Sequence, residues 1–163
     1  MIIRPATVDD ADGIADVQSR TWFVAYDGIV DRRVMEERAA TRPQRWRGHL
    51  AQGTPTWVAE EGGTVLGIMS AGASRDTDAA AGTGELWMLY VDPPAQGRGV
   101  GRGLLAEAVA VWRRAGFARV TLWVFEANAK ARSFYEHMGW TLDESAGVRD
   151  DPWAPEVRYE TRL

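Results

Sequence analysis

Residues Leu86 to Arg113 read LWMLYVDPPAQGRGVGRGLLAEAVAVWR, and the fold turns on this stretch. It has three parts. Leu86 to Val91 is an apolar run of strand length. Asp92-Pro93-Pro94 stops it, because proline donates nothing to a ladder and locks its own φ. Gln96-Gly97-Arg98-Gly99-Val100-Gly101-Arg102 then runs into apolar residues at helical spacing: Leu104, Leu105, Ala108, Val109 and Trp112. A strand, a glycine-rich turn and a helix together make a site for anions. The first N–H groups of a helix have no partner inside it, and the macrodipole adds partial positive charge there. Glycines let a phosphate approach the backbone closely. Arg98 and Arg102 can add charge-assisted contacts.

The glycine spacing narrows the ligand. A dinucleotide turn needs G-x-G-x-x-G, but the last position falls on Arg102 or Leu104. A G-x-x-x-x-G-K-[ST] loop needs a lysine that the turn lacks. What remains is Q-x-x-G-x-G, preceded by Leu89-Tyr90-Val91-Asp92-Pro93. This resembles the acyl-CoA pyrophosphate loop of the GCN5-related N-acetyltransferase (GNAT) family. Taken alone, the loop also admits a reading as a glycine-tolerant connection with no ligand.

Composition sets the frame. A chain of 163 residues holds one domain with a sizeable core, and 45% hydrophobic residues argue against disorder. Nothing suggests a membrane span, and MIIRPATVDDAD does not read as a secretory signal, so the expectation is a cytoplasmic protein. Without cysteine there are no disulfides, thiolate nucleophiles or Cys-ligated metals. His49 and His137 are not in a metal-spaced cluster. Net charge is −4 with arginines scattered among acids and Lys130 the single lysine, unlike the basic face of a nucleic-acid binder.

Taken in order, Ile2–Ala6 reads as a strand, with Thr7 or Asp9 able to cap the helix that follows. Ile14, Val17 and Trp22, with Phe23 or Tyr26, mark its apolar side, and Asp27-Gly28 breaks it. Asp31 to Leu50 is arginine-rich and carries Pro43, which predicts two short helices. Residues 56–60 and 65–71 read as a hairpin around Gly62-Gly63. Residues 72–84 read as a mobile loop. After the central helix, Arg119–Phe125 is a strand apolar on both faces. Asn128–Met138 is a helix that Gly139 ends, and Trp140–Leu142 and Val157–Leu163 are closing strands. The order β-αα-βββ-α-β-α-ββ predicts one α/β (α+β) domain. Its mixed, mostly antiparallel sheet has 6–7 strands and a central parallel pair, flanked by about four helices.

The run Asn128-Ala129-Lys130-Ala131-Arg132-Ser133-Phe134-Tyr135-Glu136-His137-Met138-Gly139-Trp140 resembles the closing motif of the same family. Two matching blocks in the right order, with a strand between them, are far more specific than either alone. The resemblance implies a GNAT-like fold whose central parallel strands splay apart to admit the pantetheine of acetyl-CoA. It implies that Leu89, Tyr90 and Val91 lie along that arm, with main-chain groups of Leu89 and Val91 holding its amides. The Asn128 side chain then contacts the pantetheine, Tyr135 lies by the thioester sulfur, and a backbone N–H near Leu89 receives the thioester carbonyl.

Acyl transfer to an amine needs a neutral nucleophile, although an alkylammonium has a pKa of about 10. It also needs preset oxyanion donors, worth roughly 3–4 kcal/mol, and a proton for the leaving thiolate. Tyr135 is the candidate acid; periodicity alone reads it as a core tyrosine bonded to a carbonyl. Glu85 opens the central strand and is the candidate base, acting through water; it reads equally as a solvated strand-entry residue. Trp123 stands where some family members carry a glutamate and cannot be a base. Glu126 reads as a cap for the helix after it. Trp22, Tyr26 and Asp27 suggest an aromatic pocket with one carboxylate, suited to a small cationic amine. The leading reading is an acetyl-CoA-dependent N-acetyltransferase acting on a small-molecule amine. Its rivals are a protein lysine or N-terminal acetyltransferase, which a groove free of the 72–84 loop would favour, and a non-catalytic acyl-CoA sensor. Family relatives often pair, so a homodimer is also implied.

Overall fold

The computed structural model describes all of residues 1–163. Its centre is an eight-stranded mixed sheet, one strand more than the largest number expected. The strands are β1 (Ile2–Pro5), β2 (Thr56–Glu61), β3 (Thr64–Ala73), β4 (Thr83–Val91), β5 (Arg119–Phe125), β6 (Thr141–Leu142), β7 (Val148–Arg149) and β8 (Glu156–Arg162). Their order is β1-β2-β3-β4-β5-β8-β6, with β7 also on β8. The extra strand is β7, a two-residue element whose exposed alternation leaves no periodic signal. Only β4 and β5 pair in parallel, from Thr83↔Arg119 to Leu86↔Leu122.

Four helices cover the faces: α1 (Ala11–Ala25), α2 (Arg32–Ala51), α3 (Val100–Arg114) and α4 (Ala129–His137). Buried residues of α1 recur at 11, 14, 15, 18, 21 and 22, a stripe that packs on β3 and β4. On the other face, Val100, Leu104, Leu105, Ala108 and Trp112 of α3 join the largest core with Met69, Ala71 and Leu122. That contact is close: a Cβ on Gly67 would lie 2.9 Å from Val100, and one on Gly84 would lie 2.7 Å from Trp112. No helix is long and apolar enough to cross a membrane.

Four local expectations need correction. Pro43 does not split the second helical region, because α2 is continuous through it. Met35, Arg42 and Trp46 are buried on either side of the proline, and Trp46 Nε1 donates to Gln18 Oε1 of α1 at 2.8 Å. Packing on both sides outweighs the one lost backbone bond. The 72–84 segment is not a free loop. Strands β3 and β4 take up its ends, and Asp76 accepts from Trp123 Nε1 (2.9 Å) and Arg158 Nη1 (3.2 Å). Thr7 and Asp9 do not cap α1 directly. A short 3-10 turn, Val8–Asp10, intervenes, and the Asp10 carboxylate accepts from the Thr7 N–H at 2.7 Å. Glu126 does not cap α4; Asn128 does, its Oδ1 accepting from the Ala131 N–H at 3.2 Å.

Candidate active site

A defect in the sheet makes the site. Neighbouring residues Ser70 and Ala71 of β3 face Met88 and Leu86 of β4, so Trp87 is an extra residue in a β-bulge. Bulges raise the local twist and end pairing. The β4–β5 ladder stops at Leu86↔Leu122, just before the bulge. Beyond it the strands part, and a cleft of about 890 Å³ opens between them.

The register settles which backbone groups face the gap. Asp92 N–H donates to Leu66 O, so the next pair that exchanges ladder bonds is Ile68 with Tyr90. Leu89 and Val91, the alternate residues, therefore turn their N–H and C=O groups away from β3 and into the gap. The Val91 carbonyl is already taken, by Thr21 Oγ1 and by Gln96 Nε2, both at 3.1 Å. The family-based expectation that main-chain groups of both residues hold an incoming arm is thus narrowed: at Val91 only the N–H is free.

The cleft ends at the start of α3. Gly99 is its N-cap at φ 83°, and Gly97 sits at φ 78°, backbone that L-residues adopt only with strain. No side chain caps this helix, and its first bond runs from Gly103 N–H to Gly99 O. The N–H groups of Val100, Gly101 and Arg102 are left for a ligand. Gly101 packs beside the Phe134 ring, where a Cβ would make an ordinary contact at 3.4 Å. Gln96, Gly97, Gly99, Val100, Gly101 and Arg102 all line the cleft. Arg98 does not; it points away and pairs with Glu61 at 2.7 Å. The cation that does line the turn's side of the cleft with Arg102 is Lys130, whose Nζ donates to Gln96 Oε1 at 2.6 Å. The sequence carries no local signal for that contact, because 34 positions separate the partners.

On the α4 side, Asn128 and Tyr135 line the cleft with Leu89 and Tyr90. The Asn128 amide oxygen is spent on the cap, which leaves its NH₂ to donate. Tyr135 is buried among Phe134 and Trp140, its hydroxyl makes no protein hydrogen bond, and burial pushes its pKa well up. It is therefore a neutral donor facing the gap, and the reading of a core tyrosine bonded to a carbonyl fails.

The acidic residues are arranged differently from expectation. Glu85 is buried beneath the 74–82 segment, where its carboxylate accepts from Arg75 N–H at 2.6 Å and from Ser74 Oγ at 3.4 Å. Burial raises its pKa against those donors. It does not line the cleft; Trp87, two residues on, does. Glu156 and Asp151, which sequence patterning did not single out, do line it. Burial also raises the pKa of Glu156, opposed by Arg149, which donates from Nε at 3.0 Å.

Trp22 and Tyr26 both line the cleft, packed edge to face at 5.2 Å. Trp153, from a stretch read as plain loop, adds a further edge-on contact to Trp22 at 5.3 Å. Asp27 is exposed and lines no cavity there, so the expected aromatic pocket with an Asp27 carboxylate is corrected to an aromatic wall without it. No group of three or more His, Cys, Asp or Glu side chains comes together as a metal site.

Comparison with known proteins gives a consistent result. A model of the acetyltransferase (GNAT) family matches residues 13–140. Mycothiol acetyltransferase from Beutenbergia cavernae is 54% identical over 61 residues, which is 37% of this chain and 20% of that protein. L-methionine sulfoximine/L-methionine sulfone acetyltransferase from Salmonella typhimurium is 33% identical over 104 residues, 62% of this chain and 60% of that one. The chain thus spans about a fifth of the first relative's length and under two thirds of the second's. Among solved structures, PaiA N-acetyltransferase from Thermoplasma acidophilum, in complex with coenzyme A, superposes with TM-score 0.81. It covers 99% of this chain and 98% of its own at 20% identity, a likeness of fold. A putative acetyltransferase from Salmonella typhimurium, solved with its cofactor acetyl-CoA, gives TM-score 0.68 at 27% identity, covering 100% of this chain and 94% of its own.

Proposed function

Since this chain belongs to the acetyltransferase (GNAT) family, we propose that it moves an acetyl group from acetyl-CoA to a primary amine of a small molecule by direct attack. The observation that carries the reading is the uncapped start of α3 opening into the cleft between the splayed strands. The free N–H groups of Val100, Gly101 and Arg102 suit a diphosphate, and Arg102 and Lys130 add charge. The Val91 N–H and the Leu89 C=O suit the amides of a pantetheine arm, which would extend β4 as a short added strand.

Each residue then has a defined task. The Leu89 N–H faces the position where negative charge develops on the thioester oxygen, and a preset donor there needs no reorganisation. Tyr135 hands its proton to the departing thiolate. Its raised pKa makes it a poor acid in water, so this role rests on placement beside the sulfur and on the low dielectric of the gap. Glu85 takes the amine's proton through water, its raised pKa moving it closer to neutrality and making it a better base. Glu156 is the rival base, because it lines the cleft directly. Asp76 and Asp78 pin the 74–82 segment on Arg158, and none of its residues lines the cleft. A small acceptor is supported instead by the relatives named mycothiol acetyltransferase and L-methionine sulfoximine/L-methionine sulfone acetyltransferase.

The test is release of free thiol from acetyl-CoA across a panel of small amines, with coenzyme A affinity measured alongside. Turnover of at least one amine is the expected result. Tight coenzyme A binding with no turnover of any amine would replace the enzyme by an acyl-CoA sensor.

A further inference from the structure

A second cavity, of about 240 Å³, lies on the α1–α2 face of the sheet and shares Trp22, Trp87, Met88, Tyr90 and Trp153 with the large cleft. The two spaces therefore meet at an aromatic junction. The smaller falls short of the roughly 300–1,000 Å³ of a whole-ligand site, so it fits one end of a molecule whose other end reaches the cleft.

Its outer wall is one stripe of α2. Arg38, Arg42, Arg45 and His49 follow at intervals of four, three and four, and all line the cavity. Arg42 is 5% exposed, and its Nη1 donates to Ser19 Oγ at 2.8 Å. None of the three arginines has a carboxylate partner, in a protein that pairs many of its other arginines. The single sealed-off side-chain nitrogen without a partner is Trp22 Nε1, so the unpaired N–H groups of Arg42 reach the open space of the cavity. Arg42 lies over the Trp22 ring at 4.6 Å and Arg38 over Trp153 at 4.8 Å, stacks that hold both guanidinium planes. A buried cation without an anion is costly, and a planar fork of donors matches a carboxylate.

We propose that this cavity binds the carboxylate of the acceptor, so that the amine acetylated belongs to a small amino acid. The carboxylate lies against Arg42 and Arg38, with Arg45 at the rim. The amino group sits at the aromatic junction, facing the gap between β4 and β5. This rests on the acetyltransferase reading and sharpens it: the acceptor carries an anion as well as an amine, and no side-chain carboxylate is needed to attract it. Lysine side chains and simple alkylamines then become poor acceptors.

The experiment compares apolar amino acids with their α-carboxamides and with the matching aminophosphonates. Thiol release from acetyl-CoA is measured, and so is equilibrium binding of each compound to the coenzyme A-loaded protein. The expected preference for acid over amide is about tenfold or more in both readouts. Arg42→Gln is expected to collapse that ratio to near one through KM, Arg42→Lys to restore part of it, and Arg38→Gln to reduce it less. Melting of each variant and its coenzyme A affinity show that the fold and the cleft persist. Should Arg42→Gln fail to fold, Arg38→Gln still reads the ratio. Equal use and binding of acid and amide, or no binding of either, overturns the proposal, and a preference for phosphonate over carboxylate overturns the choice of anion. Selective acid binding without turnover keeps the pocket and removes the enzyme reading instead.

Discussion

The two binding regions we propose, the α3 end of the cleft and the smaller cavity beneath α2, are built from different materials. At the α3 end the proposed binding groups are backbone N–H groups, freed because Gly97 and Gly99 sit at positive φ. In the cavity beneath α2 they would be long side chains, Arg38 and Arg42, stacked on tryptophans that come from elsewhere in the chain. A backbone site is coded by glycine spacing within a few residues. A side-chain site is coded by which distant residues the fold brings together. The first kind tolerates change in everything except its glycines, and the second can be retuned by a single substitution.

That contrast can be broken most forcefully at Gly99. Gly99→Val puts a β-branched residue at φ 83° and fills the approach to the helix start. Coenzyme A affinity should fall by roughly a hundredfold or more, with a backbone penalty of about 1–2 kcal/mol. Calorimetric titration together with thermal melting reads both. Undiminished affinity would mean that the α3 end is not a backbone site.

Tyr135→Phe comes next. The hydroxyl makes no structural bond, so kcat should drop by about a hundredfold while coenzyme A affinity and melting stay close to wild type. Because burial raises the Tyr135 pKa, its ionisation should not limit the rate up to pH 9. Equal losses of kcat and coenzyme A affinity would assign it to packing.

The base is sharpened by a pair of variants. Glu85 and Glu156 both have carboxyl pKa values raised by burial, so either one stays protonated and inactive as a base to higher pH than a free glutamate of about 4.5. The rate should rise with pH through that raised value. Glu85→Gln is expected to remove this acid limb and lower kcat/KM by about ten- to a hundredfold. Loss of the limb in Glu156→Gln alone would move the role to the residue that lines the cleft.

The smallest effect concerns the anchor of the 74–82 segment. Asp143 accepts from Arg158 Nε at 3.0 Å, and Arg158 also holds Asp76 and Asp78. Burial opposes the charge on Asp143, but its donors Ser145 and Arg158 prevail and hold its pKa below the usual value. A depressed carboxyl pKa stabilises the fold above the unfolded value of about 3.9, and that contribution is lost as pH falls through the folded one. Asp143→Asn should cost about 1–3 kcal/mol at pH 7 and less below pH 4. Urea unfolding across pH measures this, and a pH-independent loss would show that shape rather than charge matters there.

Legibility followed the same division. Leu104, Leu105, Ala108 and Trp112 are buried as their spacing predicts, because a helix on a sheet shows its core stripe in local sequence. The glycine turn was readable for the same reason, although Arg98 was not: turn spacing says nothing of the ion pair with Glu61, contributed by another strand. Pro43 misled, since propensity is local while the contacts of Met35 and Trp46 that keep α2 whole are not. Glu156 and Trp153 were missed because nothing near them in the chain marks residues that fold against Arg149 and Trp22.

By itself the sequence determined the element order, the glycine-rich turn before α3 and the core faces of α1 and α3, each a matter of spacing along one segment. Only the tertiary structure decided the bulge at Trp87, the parting of β4 from β5, the pinning of the 74–82 segment and the unpaired arginines above the aromatic junction. Those depend on register and on side chains meeting across tens of positions. No periodicity along the chain records such contacts, because their energy arises only when the sheet and its helices have closed around them.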